Sequence, residues 1–186
     1  MTIYVWRHPK PLAAEGLCLG QNDMGVDPRK IKRLANQIQR FVRVHQLPKV
    51  IWVSPLQRSL AVGQVLTRRG FDCHVAKDLV EIDFGVWNGR PWERIAKQEI
   101  DNWCSDFANF APINGENLQQ LFVRVQDWLQ LQSNTKTMSS NSVLVVGHAG
   151  WITAATMITA GSNIPTIAAD WPRPVAYNAR SELAFL

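Results

Sequence analysis

Arg7-His8 closes one apolar run, residues 2–6, and Gly147-His148 closes another, residues 143–146. Two histidines at two strand ends share a pocket if the strands are neighbours in a sheet, and the arginine beside the first points to the ligand. A guanidinium stays charged at any working pH and offers donors in a fixed fork that matches phosphate or carboxylate. A further cation, Arg58, follows the apolar run 50–53 by way of Ser54-Pro55. A helix opening there would add oriented N–H groups and partial positive charge for an anion. Phosphate chemistry on histidine is therefore the leading expectation. Taken singly, a histidine is more often a packed or surface residue. His45, near a predicted helix end, and His74, within a strand-like stretch, are read in that way.

The elements that must position these groups read as an α/β alternation. Residues 2–6 are β-branched and aromatic and predict a buried strand, and the stretch to Val26 is a Gly- and Pro-containing loop. Asp27-Pro28 is a helix start, with Asp as N-cap and Pro in the first turn, and Ile31, Leu34, Ala35, Ile38, Phe41 and Val42 keep one face apolar until Pro48 stops the helix. A second strand spans 50–53, and Ser54-Pro55 predicts the cap and first turn of a helix reaching about Arg69. Residues 71–75 predict a third strand, and 91–98 and 100–108 short helical stretches. Asn114-Gly115-Glu116 precedes an amphipathic helix carrying Leu118, Leu121, Phe122, Val125, Trp128 and Leu129, and residues 133–142 form a polar loop. The strand 143–146 turns at Gly147-His148 into a helix over about 149–160, which Gly161 ends, and a last strand is expected at 182–186.

At 186 residues and 46% hydrophobic composition the chain is long and apolar enough for one domain with a substantial core. No run has the length to span a membrane and no signal segment opens the chain, so a soluble, cytoplasmic protein is expected. Three cysteines, Cys18, Cys73 and Cys104, are widely spaced, which argues for reduced thiols and against a disulfide framework or a zinc site. The net charge of +5 is modest and the basic residues are scattered along the sequence. The expected partner is a small phosphorylated substrate, with neither nucleic acid nor membrane, and a homodimer is left open.

The ordered blocks resemble the histidine phosphatase superfamily, also called phosphoglycerate mutase-like. Arg7-His8-Pro9 stands where that family has Arg-His-Gly, and Ser54-Pro55-Leu56-Gln57-Arg58 matches its Ser-Pro-x-x-Arg. Residues 81–89, beginning at Glu81, match its Glu-x-x-x-Gly segment, and Gly147-His148 brings the second histidine. Residues 16–23 and 112–116 are similar to the α-ribazole phosphatase-like branch linked to cobalamin synthesis. The resemblance implies a three-layer α/β/α sandwich with a mostly parallel central sheet. It also implies a single domain over 1–186, with a cap-like segment at about 78–116 that holds Trp87, Trp92, Trp103 and Phe107.

By the same resemblance, His8 is the nucleophile, Arg7 and Arg58 clamp the phosphoryl oxygens, and His148 completes the phosphate pocket. Glu81 is the general acid and then the general base, and Gln21 and Asn22 join Arg7, Arg58 and His148 in substrate binding. The implied activity is a metal-independent phosphomonoesterase without a cofactor, with α-ribazole 5′-phosphate as a candidate substrate. A broader sugar-phosphate or nucleotide phosphatase stays open, as does a non-catalytic relative that binds a phospho-ligand or a protein. Two histidines and a carboxylate would also suit a metal hydrolase, but Arg7 and Arg58 would repel a cation. The chain departs from the family at Pro9, which lacks the N–H of a glycine, and at Lys10, Ala14 and Asn88. Lys10 and Ala14 argue for phosphatase rather than mutase action.

Overall fold

The structure, a computed structural model, describes residues 1–134 and 141–185. Five strands form one sheet in the order β3-β2-β4-β1-β5, with β1 at Thr2–Arg7, β2 at Val50–Val53, β3 at Asp72–Val75, β4 at Ser142–Gly147 and β5 at Arg180–Ala184. All pairings are parallel except that of β5 with β1. The helices are α1 (Pro28–Val44), α2 (Gln57–Thr67), α3 (Lys97–Ser105), α4 (Leu118–Asn134) and α5 (Ala149–Thr159).

Period-two alternation along the strands divides the core into two layers. Trp6, Ile51, Val53, Leu144 and Val146 face α1 and α2, which contribute Ile31, Leu34, Ile38, Val62 and Leu66. Ile3, Val5 and Val145 face the other way and meet Leu121, Val125, Leu129, Trp151 and Ile152 of α4 and α5. Handedness explains which helix lies on which face. The chain steps from β1 to β2 to β3 in one direction, then returns through α4 to β4 in the middle of the sheet. Right-handed crossovers running in opposite directions place their helices on opposite faces. The result is the three-layer α/β/α sandwich expected from the sequence.

That reversal makes the boundary between β1 and β4 the topological switch point, where a crevice opens at the carboxyl ends of the strands. Arg7 is in register with Gly147, and the His8 N–H donates to the Gly147 carbonyl at 3.0 Å. Both histidines therefore leave the sheet side by side.

Three sequence expectations shift, the first being the last strand, expected at 182–186, which begins two residues earlier and runs over Arg180–Ala184. The helix carrying Arg58 starts at Gln57, two residues beyond Pro55. Ser54 Oγ accepts from the Leu56 N–H at 3.2 Å and makes a turn before the helix, while Asp23 from a distant loop accepts from the Gln57 N–H at 2.7 Å and acts as its cap. The helical stretches expected at 91–98 and 100–108 become a short 3-10 turn at Trp92–Arg94 and α3. Most of the expected loop 133–142, and Leu186 of the expected final strand, lie outside the described residues. Among the described residues no helix is long and apolar enough to cross a membrane.

Candidate active site

His8 is buried at the end of β1, and its Nδ1 lies 2.8 Å from the carbonyl oxygen of Pro9. A carbonyl can only accept, so Nδ1 carries the proton and Nε2 keeps the lone pair. The assignment follows from the hydrogen bond. Burial, reinforced by the charges of Arg58 and Arg7, holds the His8 imidazole well below the usual histidine range. The ring is neutral at working pH and offers Nε2 as a nucleophile.

His148 has the complementary tautomer. Arg58 Nε donates to its Nδ1 at 3.2 Å, so Nε2 bears the hydrogen. That Nε2 is buried without a hydrogen-bond partner among the described residues. The two imidazole centroids are 4.9 Å apart. Burial first, then Arg58, keeps His148 neutral as well. A buried donor with no partner costs about 1–3 kcal/mol, a cost relieved when an acceptor such as a phosphoryl oxygen enters.

Arg58 is almost fully buried at the start of α2. Besides its bond to His148, Nη1 donates to the Asn22 carbonyl at 2.8 Å and Nη2 to that of Gly20 at 2.5 Å. Of five guanidinium hydrogens, three are committed to the protein and two remain for a ligand. Ser59 anchors this helix end to the sheet, its Oγ donating to Val146 O at 2.7 Å and accepting from the Ser54 N–H at 3.1 Å. Arg7 is held by a 2.6 Å bond from Nη1 to Val175 O and by the Tyr177 ring, whose centroid is 3.7 Å from its guanidinium carbon. Its Nε is a second buried donor without a partner among the described residues.

Glu81 reaches the same place from the segment after β3. Its Oε2 accepts from Gly150 N at 3.2 Å, and its Oε1 from Trp151 N at 3.3 Å and Ile82 N at 3.1 Å. The carboxylate thus caps α5, whose N-cap residue, His148, makes no side-chain cap bond. Gly150 allows the approach, because a Cβ there would stand 2.5 Å from Glu81 Oε1. Arg124 secures the approach of the chain to Glu81 by donating to the carbonyls of Asp78 and Val80 at 2.8 and 3.0 Å.

These groups surround a cavity of about 380 Å³. Arg7, His8, Arg58, Glu81 and the start of α5 form one pole, and His148 lies just behind it. The opposite wall is aromatic and aliphatic: Phe84, Trp92, Trp103, Phe107 and Trp171, with Leu17, Leu118 and Leu121. A wider hollow of about 630 Å³ runs along the outside of α4, but its lining contains no histidine, cysteine or hydroxyl side chain.

The sequence-predicted residues Arg7, His8, Arg58, Glu81 and His148 therefore converge. Gln21 and Asn22 stand outside the cavity lining; Gln21 Nε2 donates to the main-chain carbonyl of Glu81 at 3.0 Å, and the Asn22 carbonyl holds Arg58. Of the four aromatic residues expected in the cap-like segment, Trp92, Trp103 and Phe107 face the cavity. Trp87 is fully buried instead, its indole N–H donating to Glu99 at 2.7 Å. Asn88 stitches two loops, accepting from the N–H groups of Gln21 and Phe84 and donating to Asp83. Sequence reading missed Tyr177, Trp171 and the cap Asp23. The first two lie in a proline-rich stretch before β5 with no periodicity to expose them, although two aromatics in such a stretch are a weak signal. Burial pushes the Cys18 thiol up to about 12, which removes it as a nucleophile.

Fold and site together define an α/β protein that presents two buried neutral histidines and two arginines to an anion at a strand switch point. The chain belongs to the histidine phosphatase superfamily (branch 1), whose pattern matches residues 3–171. It is similar to the adenosylcobalamin/alpha-ribazole phosphatase of Escherichia coli (strain K12), 26% identical over 156 residues that cover 81% of this chain and 74% of that one. The protein of the same name from Salmonella typhimurium is 30% identical over 153 residues, covering 80% of this chain and 66% of the relative. Among solved structures, a mycobacterial glucosyl-3-phosphoglycerate phosphatase in complex with VO3 shares the fold. Its TM-score is 0.79 at 22% identity, covering 98% of this chain and 92% of the other.

Proposed function

We propose that the protein is a cytoplasmic phosphomonoesterase that works through a phosphohistidine at His8, without a metal, and that α-ribazole 5′-phosphate is its substrate. The observation that carries this reading is the unprotonated Nε2 of buried His8 in a pocket with two unpartnered buried donors, Arg7 Nε and His148 Nε2. Nε2 attacks phosphorus, the N–P bond forms and the bond to the ester oxygen breaks. The spare hydrogens of Arg58, with Arg7 and His148, take up charge on the equatorial oxygens. Glu81 is the group placed to pass a proton to the leaving alkoxide and then to take one from water as the water attacks phosphohistidine and releases inorganic phosphate. The aromatic wall supports a leaving group with a flat apolar ring, which a ribazole supplies and a plain sugar does not. The names of the two bacterial relatives support the same substrate.

The test is phosphate release from α-ribazole 5′-phosphate beside sugar phosphates, nucleotides and phosphoglycerates, with chelator present and His8→Ala as control. A preference for the ribazole ester, with a phosphoryl mass adduct trapped on His8, is expected. Activity spread evenly over the panel would remove the substrate assignment, and no His8-dependent release from any ester would remove the phosphatase reading.

A further inference from the structure

One contiguous stretch of the chain is rich in cations and free of carboxylates, and the fold presents most of it on one side of the molecule. Residues 28–71 contain ten Lys and Arg and no Asp or Glu, whereas the rest of the chain has ten basic against fifteen acidic residues. Arg58 is buried in the site; the other nine belong to the α1–α2 layer, seven of them exposed and Lys30 and Arg69 half-buried. At 100° per residue, Arg29, Lys32, Arg33, Arg40 and Arg43 fall within about 100° of arc on α1, opposite the buried Ile31, Leu34, Ala35, Ile38 and Val42. Arg68 and Arg69 at the end of α2 continue the field, Arg69 joined to Gln39 of α1 at 3.2 Å. Arg180 of β5, lying over the Phe41 ring at 4.0 Å, extends it on the other side.

None of these cations is paired with a carboxylate among the described residues. Arg29 stands three and four residues from Lys32 and Arg33, and Arg40 three from Arg43, spacings at which like charges destabilise a helix. Asp27 bonds the main chain at the head of α1 rather than any of these side chains, so the side-chain charges are left for an external complement.

Apolar side chains accompany it. Val44 is 63% exposed and Val50 39% exposed, with Lys49 beside them. Exposed aliphatic groups next to Arg43 and Lys49 in the chain suit the surface of an anionic bilayer, where the charges meet headgroups and the aliphatics enter the interface. A single-stranded nucleic acid would favour aromatic platforms for the bases, but the exposed aromatic residue among those described, Trp92, lines the catalytic cavity instead, and a duplex, bound through its phosphates, has no use for exposed aliphatic groups. We propose that the α1 face is a peripheral docking surface for an anionic membrane leaflet. The proposal stands independently of the substrate reading. It differs from the expectation of no membrane partner, which rested on the lack of a run long enough to span a bilayer and does not bear on docking at its surface. With α1 lying flat on the bilayer, the carboxyl ends of the strands, and hence the cavity, open along the membrane plane.

The test is flotation of the full chain with vesicles of phosphatidylcholine alone or mixed with phosphatidylglycerol, at low and high salt. Binding only to the anionic vesicles, released by salt, is expected. Arg29→Gln/Arg33→Gln/Arg40→Gln should weaken it by about fivefold per cation and about a hundredfold together. Val44→Ser should weaken it further, and turnover of p-nitrophenyl phosphate should stay unchanged in both variants and report their folding. Equal binding to neutral vesicles, no binding to either kind, or wild-type binding by the folded triple variant would overturn the proposal. Tighter binding to duplex DNA than to the anionic vesicles at the same salt would reassign the face to nucleic acid.

Discussion

Replacing Arg58 by lysine keeps the charge and removes the fork. In the native site three guanidinium nitrogens reach three directions at once, toward His148 Nδ1, Asn22 O and Gly20 O. Two hydrogens are left for the anion. An ammonium has three hydrogens on one atom and cannot span those acceptors while also presenting parallel donors. At least one buried acceptor then goes unmet, at a cost of about 1–3 kcal/mol in stability. Losing one donor to the transition state lowers kcat by about 10²–10³, or about 2.7–4 kcal/mol. The cation that helps keep His8 neutral is retained, so the acid limb of the rate profile should stay in place in Arg58→Lys and move toward higher pH in Arg58→Met. Steady-state turnover of p-nitrophenyl phosphate against pH, with thermal unfolding as the control for folding, measures all three effects. A folded Arg58→Lys protein within tenfold of wild-type kcat/KM would refute the donor accounting.

Three further outcomes follow from the geometry. His8 and His148 are held neutral in the fold but titrate near 6.5 once unfolded, so below pH 6.5 the unfolded chain binds protons that the native state does not, and stability falls as pH falls. Each contributes about 1.4 kcal/mol per pH unit down to its folded value, so urea titrations of His148→Asn should show a pH slope smaller by that amount, and an unchanged slope would contradict the buried neutral state. Gly150→Ala should drive Glu81 from the start of α5 and lower kcat by about 10²–10⁴, more for alkyl than for nitrophenyl esters, because a poor leaving group needs the proton; equal losses for both would remove Glu81 as the acid. Trp87→Ala should cost about 3–5 kcal/mol in urea unfolding, since it empties a fully buried site; a loss below 1 kcal/mol would mean that this segment contributes little to the fold.

How much of this was legible in the sequence depended on distance along the chain. The strands around Arg7-His8 and Gly147-His148 showed as short apolar runs because both faces of the sheet are covered. The Asp27-Pro28 start was equally readable, since its cap is local: Asp27 Oδ1 accepts from Arg29 N at 2.8 Å. The start of α2 was misplaced for the converse reason, its cap Asp23 being 34 residues away. Glu81 at the head of α5 is 69 residues from Gly150, and no periodicity announces such a contact. Tyr177 meets Arg7 only because β5 pairs antiparallel with β1 and carries the preceding loop back across the site. The bias of charge was legible but averaged away by a whole-chain count: residues 28–71 hold ten of the twenty Lys and Arg and no carboxylate.

Pro9 is where the chain departs most visibly from its family's first block, and its carbonyl is the group that fixes the His8 tautomer. The pyrrolidine ring restricts rotation beside that acceptor, so the orientation of the nucleophilic ring draws on a backbone with few alternatives. That freedom is missing from the unfolded chain as well, so folding has less conformational entropy to remove when it sets this acceptor in place. The N–H that a glycine would carry at this position is given up in exchange, so constancy of aim is gained for one main-chain donor lost.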